Sequence, residues 1–133
     1  MNIDEKYLTI IKEFLAKKIS PYFIVLFGSA AKGKLREDSD IDIAFLSDQR
    51  FSDYEVFLYG QELANLLDRE VDLIDLEKAS TVFQAQVLST GKVLYCSDEI
   101  KKMLFHVLVL KKYARLNEER QCILKKYEER GSL

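Results

Sequence analysis

An unbroken apolar run from Tyr22 to Phe27 constrains the fold more than any other segment of this chain. The run consists of β-branched, aromatic and leucine residues without polar alternation, which is typical of a strand that is covered on both faces. Such a strand needs helices on both sides of its sheet. Apolar residues at three- and four-residue spacing, beginning with Tyr7, Leu8 and Ile11, predict helices of that kind. The pattern therefore indicates an α/β (α+β) domain.

The size and composition of the chain limit its class. Its 133 residues fit one domain, and a content of 48% hydrophobic and 32% charged residues excludes both a disordered and a membrane-spanning chain. The net charge of −2 provides no basic field for holding nucleic acid. The first residues lack the apolar core and cleavage site of a signal peptide, and the two cysteines form no CxxC motif. We expect a cytoplasmic protein without a zinc site or a disulfide framework.

Apolar periodicity and helix-capping residues divide the chain into alternating helices and strands. We predict one domain over residues 1–133, with a core at about 20–95 and a C-terminal helical segment at about 97–129 that begins at a Ser97 cap. The predicted elements inside the core are a helix that ends before Pro21, strands at 22–27, 40–46, 70–76 and 92–95, and helices after Ser52 and before Gly91.

Gly28 and Ser29 follow the buried strand and precede a short basic turn. A helix N-terminus offers unpaired N–H groups, glycine lets a ligand approach the backbone, and a serine hydroxyl can donate to a phosphate oxygen. The pair therefore suggests a phosphate site, although a turn that only caps a helix has the same sequence.

Asp40 and Asp42 open a strand that is otherwise apolar. Residues i and i+2 of a strand face the same way, so the two carboxylates repel unless a cation lies between them. Oxygen ligands of this kind suit Mg²⁺. Asp72 lies in another apolar strand and can join them if the two strands are neighbours, whereas Asp75, three residues later, should face the opposite side. A strand whose first residues simply face water is the alternative.

Gly28-Ser29, ten intervening residues and then Asp40-Ile41-Asp42 resemble the GS–x10–DxD signature of the DNA polymerase β-like nucleotidyltransferase superfamily. Within it, the segments Gly28–Gly33 and Asp38–Ile43 are most similar to the minimal nucleotidyltransferases, which include the MntA-type antitoxins of HEPN/MNT toxin–antitoxin pairs. The resemblance covers about residues 20–95. It implies the polymerase-β-like fold, a small mixed sheet flanked by helices, with a long C-terminal helix outside the matched region.

The resemblance also implies site roles. It places ATP phosphates on Gly28 and Ser29, two Mg²⁺ ions on Asp40 and Asp42, and a metal-binding carboxylate that activates the attacking hydroxyl at Asp72. Many relatives carry arginine where this chain has Lys32. Lys32 would therefore add a point charge to the phosphate site, in place of the forked guanidinium of an arginine.

The acceptor of AMP does not follow from the residues alone, but the small size and acidic balance favour a protein over a long nucleic acid. The resemblance names a candidate, a tyrosine hydroxyl on a HEPN-domain RNase toxin (HepT-like) encoded alongside, which would be neutralised in a hetero-oligomer. No direct nucleic acid binding and no membrane partner is expected. The C-terminal helix is either the docking surface or a helix packed on the sheet with a charged tail.

Two alternatives remain open at this stage. One is a small-molecule nucleotidyltransferase of the aminoglycoside type, with an acidic cleft to which Glu62, Asp68 or Glu70 contributes. The other is a non-catalytic antitoxin that masks its toxin by binding. Three mutually repelling acids argue against that second alternative, because a binding module does not need them.

Overall fold

The computed structural model describes residues 5–29, 31 and 40–129, with side chains described as far as residue 120. Its helices are α1 (Glu5–Lys18), α2 (Asp53–Leu67), α3 (Thr81–Thr90) and α4 (Glu99–Glu129), and its strands are β1 (Pro21–Phe27), β2 (Ile41–Ser47), β3 (Val71–Asp75) and β4 (Lys92–Cys96). A 3₁₀ turn, Leu76–Lys78, joins β3 to α3.

The strands form one mixed sheet in the order β3-β2-β1-β4. Strand β1 pairs antiparallel with β2 and with β4, whereas β2 and β3 run parallel. The parallel pair needs a crossover connection, and α2 supplies it. The mixed sheet and its flanking helices confirm the predicted fold class. The second and third strands are neighbours, which meets the condition under which Asp72 can join Asp40 and Asp42.

Strand β1 is buried on both faces, as its sequence predicts. Ile24 and Leu26 join a core with residues of α1 and α2, whereas Phe23 and Val25 join a second core with residues of the 3₁₀ turn and α3. Burying one such side chain contributes roughly 1.5–3 kcal/mol. The two cores fix the strands, and they thereby fix the positions of the polar residues at the strand ends.

The beginning of α4 differs from the prediction by one residue. Ser97 was expected to cap the helix, but the Asp98 carboxylate accepts the hydrogen bond from the Lys101 N–H at 3.0 Å. The Ser97 N–H instead donates to the carbonyl oxygen of Tyr22 at 2.9 Å. Ser97 is thus still held against the sheet, and α4 begins after this residue, at Glu99.

Helix α4 packs on α3 and the second core through one face only. Phe105 and Val109 point inward, and Val109 is buried. The opposite face is apolar and exposed. Neither predicted alternative, a docking surface or a helix packed on the sheet with a charged tail, describes both faces of α4. The exposed side chains are Ile100, Met103, Leu104, Val107, Leu108 and Leu110; we call them the α4 apolar face.

Among the helices of the described residues, none combines the length and the apolar character that a membrane crossing requires.

Candidate active site

Gly28 directly follows β1 and faces the first carboxylate of β2. Its φ of +65° is a left-handed conformation that glycine adopts without a steric penalty. A Cβ atom at this position would overlap Asp42 Oδ2. The positive φ therefore favours glycine, and the absence of a Cβ atom leaves room for the Asp42 carboxylate. Ser29, the next residue, is exposed on the same turn.

The sheet register brings Asp42 and Asp72 side by side. Asp42 pairs with Phe27 on β1 and with Asp72 on β3. Neighbouring strands are about 4.8 Å apart, so carboxylates at paired positions of parallel strands lie close together. Asp40 lies two residues before Asp42, is exposed, and is close enough to interact electrostatically with it. The structure therefore assembles Asp40, Asp42 and Asp72 at one end of the sheet.

The electrostatics of this end of the sheet are repulsive. Burial is the largest cause that raises the pKa of Asp42 to about 6, and the negative charges of Asp72 and Asp40 raise it further in that order. A cation between these groups would relieve the repulsion and lower that pKa again. The arrangement is thus the one expected of carboxylates that share a positive ligand.

The donor set fits Mg²⁺ in an open site. The described residues contain no group of three or more His, Cys, Asp or Glu side chains arranged to hold a metal ion by themselves. Mg²⁺ is commonly bound by one or two carboxylates and completes its octahedral shell with water and substrate phosphates. Asp40 and Asp42 beside an exposed turn suit that mode, in which the bound phosphates supply the remaining ligands.

Asp75 does not belong to this group. It pairs with Phe45, three positions along β2 from Asp42. Its carboxylate caps the 3₁₀ turn by accepting the Glu77 N–H at 3.2 Å. The preference for Asp72 over Asp75 therefore agrees with the geometry, although the chemical roles remain predictions. Lys32 lies outside the described residues.

Sequence reasoning missed one part of the site. A cavity of about 290 Å³ between α2 and β3 is lined by Asp40 and Asp72 together with Phe57, Gly60 and other neighbours. Gly60 was the available signal, because a glycine inside a helical pattern lowers helix stability relative to alanine. A Cβ added to Gly60 would lie 3.4 Å from the Leu73 Cβ, which shows how near α2 approaches β3.

The larger cavity of about 760 Å³ lies elsewhere. It is lined by Phe14, Lys17, Leu66 and other residues of α1 and α2, and by none of the predicted site residues that the structure describes. The carboxylates and the cavity beside β3, and not this depression between α1 and α2, form the candidate site.

The sequence matches the family described as polymerase beta, nucleotidyltransferase, over residues 9–100. The chain belongs to this family. It is 41% identical over 101 residues to the protein adenylyltransferase MntA of Shewanella oneidensis, a match that covers 76% of this chain and 72% of that relative. The resemblance inferred from the GS–x10–DxD motif is thereby confirmed.

Solved structures agree with the polymerase beta fold over most of the chain. A chain of a toxin–antitoxin crystal structure with AMP-PNP superposes with a TM-score of 0.81 at 36% identity, covering 91% of this chain and 98% of that one. A chain of the complex between a tri-AMPylated Shewanella oneidensis HEPN toxin and its MNT antitoxin gives a TM-score of 0.78 at 33% identity, covering 95% and 99%. This coverage includes most of α4 in addition to the predicted core.

Proposed function

We propose that this protein is an antitoxin that transfers AMP from ATP to a hydroxyl group, a tyrosine hydroxyl in our proposal, of a HEPN-domain RNase toxin. The observation that carries the proposal is the assembly of Asp40, Asp42 and Asp72 beside the Gly28 turn. Its support from relatives is that the MntA protein is a protein adenylyltransferase and that a similar chain is found with an AMPylated HEPN toxin.

The phosphates of ATP lie on the Gly28 turn in this mechanism. The close approach of Gly28 to Asp42 keeps the phosphates next to the carboxylates, and the Ser29 hydroxyl donates to a phosphate oxygen. Asp40 and Asp42 would hold Mg²⁺, with Asp72 as a further ligand, and the metal would supply positive charge to the developing phosphate oxygens.

Asp72 accepts the proton of the acceptor hydroxyl. The hydroxyl oxygen then forms a bond to the α-phosphorus, while the bond from this phosphorus to the oxygen bridging to the β-phosphorus breaks. Pyrophosphate leaves with that oxygen, and the acceptor retains AMP. Catalysis rests on positioning and on charge compensation, because the protein itself forms no covalent bond.

The small-molecule alternative receives less support from the geometry. Of the acids considered for a cationic substrate, Glu62 forms an ion pair with Lys18 at 3.7 Å. Asp68 and Glu70 line a cavity of about 580 Å³, but Arg69 lines it too and offsets their charge. A protein acceptor also agrees with the activity of the Shewanella oneidensis relative MntA, which is a protein adenylyltransferase.

The α4 apolar face is the partner-binding surface in our proposal. Exposed apolar patches on a soluble domain mark interaction sites when they are contiguous, and this face holds six large side chains along one helix. The similar chains in solved structures come from toxin–antitoxin complexes. These two observations support a hetero-oligomer of this chain with the toxin.

Intact mass spectrometry tests the proposal. The HEPN-domain protein encoded by the adjacent gene is incubated with this chain, ATP and Mg²⁺, beside a variant with Asp40→Ala and Asp42→Ala. We expect mass gains in whole AMP units with the wild-type chain and none with the variant. A stable complex without any mass gain would favour the masking antitoxin, and the absence of both would favour a small-molecule acceptor.

A further inference from the structure

The cavity between α2 and the outer edge of β3 is continuous with two of the three carboxylates. Asp40 and Asp72 line it, and so do Phe57 and Glu70. Gly28 and Ser29, the described residues of the phosphate turn, are not part of its lining. A molecule in this cavity would reach the carboxylates without occupying the phosphate turn.

The sheet order places the carboxylates between the phosphate turn and this cavity. Gly28 ends β1, Asp42 lies on the adjacent strand β2, and Asp72 lies on β3 at the edge of the sheet. In an in-line displacement, the attacking oxygen and the leaving oxygen stand on opposite sides of the phosphorus. With pyrophosphate on the Gly28 turn, the acceptor hydroxyl must therefore approach from the β3 side.

Phe57 stands at the mouth of the cavity and is 61% exposed. Within the described residues it also borders a second depression of about 300 Å³ with Leu73, Asp75 and Lys78, so its ring forms a ridge along the edge of β3. An exposed aromatic ring beside a cavity offers a large, rigid contact surface, which is typical of residues that dominate protein interfaces. The Gly28 turn, where the proposed function places the phosphates, lies on the other side of β2 from this ring.

We infer that this cavity receives the segment of the partner protein that carries the acceptor hydroxyl, and that Phe57 determines which segment is accepted by packing against its side chains. The inference rests on the proposed function. Asp40 and Asp72 would hold the metal ion in the proposed function, so the contacts left for the segment are those with Phe57 and with the apolar residues beside it, Val56, Val71 and Leu73. Phe57 is a specificity-determining residue, since it lies at the mouth and takes no part in the proton transfer.

The test compares Phe57→Ala with Tyr54→Ala in the full chain. Tyr54 is 64% exposed on the same helix but does not line the cavity, so it controls for the loss of an exposed ring. AMP transfer to the HEPN-domain protein of the adjacent gene is measured while the concentrations of acceptor and ATP are varied separately. We expect Phe57→Ala to raise the KM for the acceptor about tenfold or more, with the KM for ATP unchanged.

Tyr54→Ala should match the wild type, and Phe57→Tyr, which keeps the ring, should recover most of the acceptor affinity. An unchanged acceptor KM in Phe57→Ala would overturn the inference, and so would an equal rise in the KM for ATP. Transfer by the wild-type chain is measured first, because its absence overturns the proposed function, whereas normal transfer with a neutral Phe57→Ala overturns only this inference.

Discussion

Asp42 is held in surroundings that favour its protonated form. Burial, then Asp72, then Asp40 raise its pKa from 3.8 to about 6. A carboxyl whose pKa is raised by folding binds its proton more tightly in the folded protein than in the unfolded chain. The stabilisation that this bound proton gives to the folded protein is complete below the pKa of the carboxyl in the unfolded chain. It is lost as the pH rises through the pKa of the carboxyl in the folded protein. At neutral pH the metal-free protein therefore carries a destabilising negative charge at Asp42.

This argument predicts the effect of Asp42→Asn on the free energy of unfolding. The variant should equal the wild type near pH 3 and exceed it by on the order of 1 kcal/mol near pH 7, a value discounted for partial solvent exposure. Urea denaturation in a metal chelator, repeated across this pH range, measures the difference. A difference in the free energy of unfolding between the variant and the wild type that stays constant with pH would contradict the expected titration of Asp42. The same variant should lose AMP transfer, which separates stability from activity.

The site residues differ in how far the sequence could predict their arrangement. The arrangement of Asp40 and Asp42 was predictable from local spacing, although Asp40 directly precedes β2 and only Asp42 lies in the strand. Asp72 required only the pairing of β2 with β3. Phe57 was not predictable, since an aromatic residue on an amphipathic helix shows the same spacing whether it faces the core or a cavity. Its exposure depends on where Gly60 lets α2 contact β3, and that is a tertiary property.

At the level of the elements, local patterns predicted the existence and type of each helix and strand. Capping confirms this at α2, where Ser52 accepts the Glu55 N–H at 3.1 Å and Glu55 in turn accepts the Ser52 N–H. The strand order was not encoded locally, because β1 lies between strands that are distant in sequence. The cap of α4 was wrongly assigned, since the attachment of Ser97 to Tyr22 is a sheet contact.

The corrected cap leads to a prediction about α4. Asp98→Ala should destabilise the protein by about 1 kcal/mol, because the first turn of the helix loses the side-chain acceptor of the Lys101 N–H. Ser97→Ala should change stability by less, because the contact that holds Ser97 to the sheet uses its backbone N–H. Thermal denaturation of both variants measures the difference. A larger loss for Ser97→Ala would restore Ser97 as the cap.

At the scale of the whole molecule, the chemistry and the proposed partner contact lie on different elements. The carboxylates stand at one end of the sheet on β2 and β3, whereas the apolar face lies on α4, which packs against α3. A partner held on α4 can therefore stay bound while one of its segments enters the cavity beside β3. Binding and transfer should accordingly respond to different substitutions.

Leu104→Glu tests this separation against Leu66→Glu, because both residues are exposed helical leucines, 65% and 58% exposed. A charge at Leu104 should weaken the complex with the HEPN-domain partner at least about tenfold, since it must be desolvated within an apolar contact. Leu66, on α2 and outside the α4 apolar face, should tolerate glutamate without loss of affinity. Isothermal titration calorimetry gives both dissociation constants, and sedimentation of the chain alone shows whether it self-associates.

Equal weakening of the complex by Leu104→Glu and Leu66→Glu would contradict a partner surface on α4. Loss of self-association with unchanged partner affinity would assign the face to a second copy of this chain. If transfer by Leu104→Glu recovers at saturating partner concentration, α4 acts in binding while the carboxylates on β2 and β3 retain the chemistry.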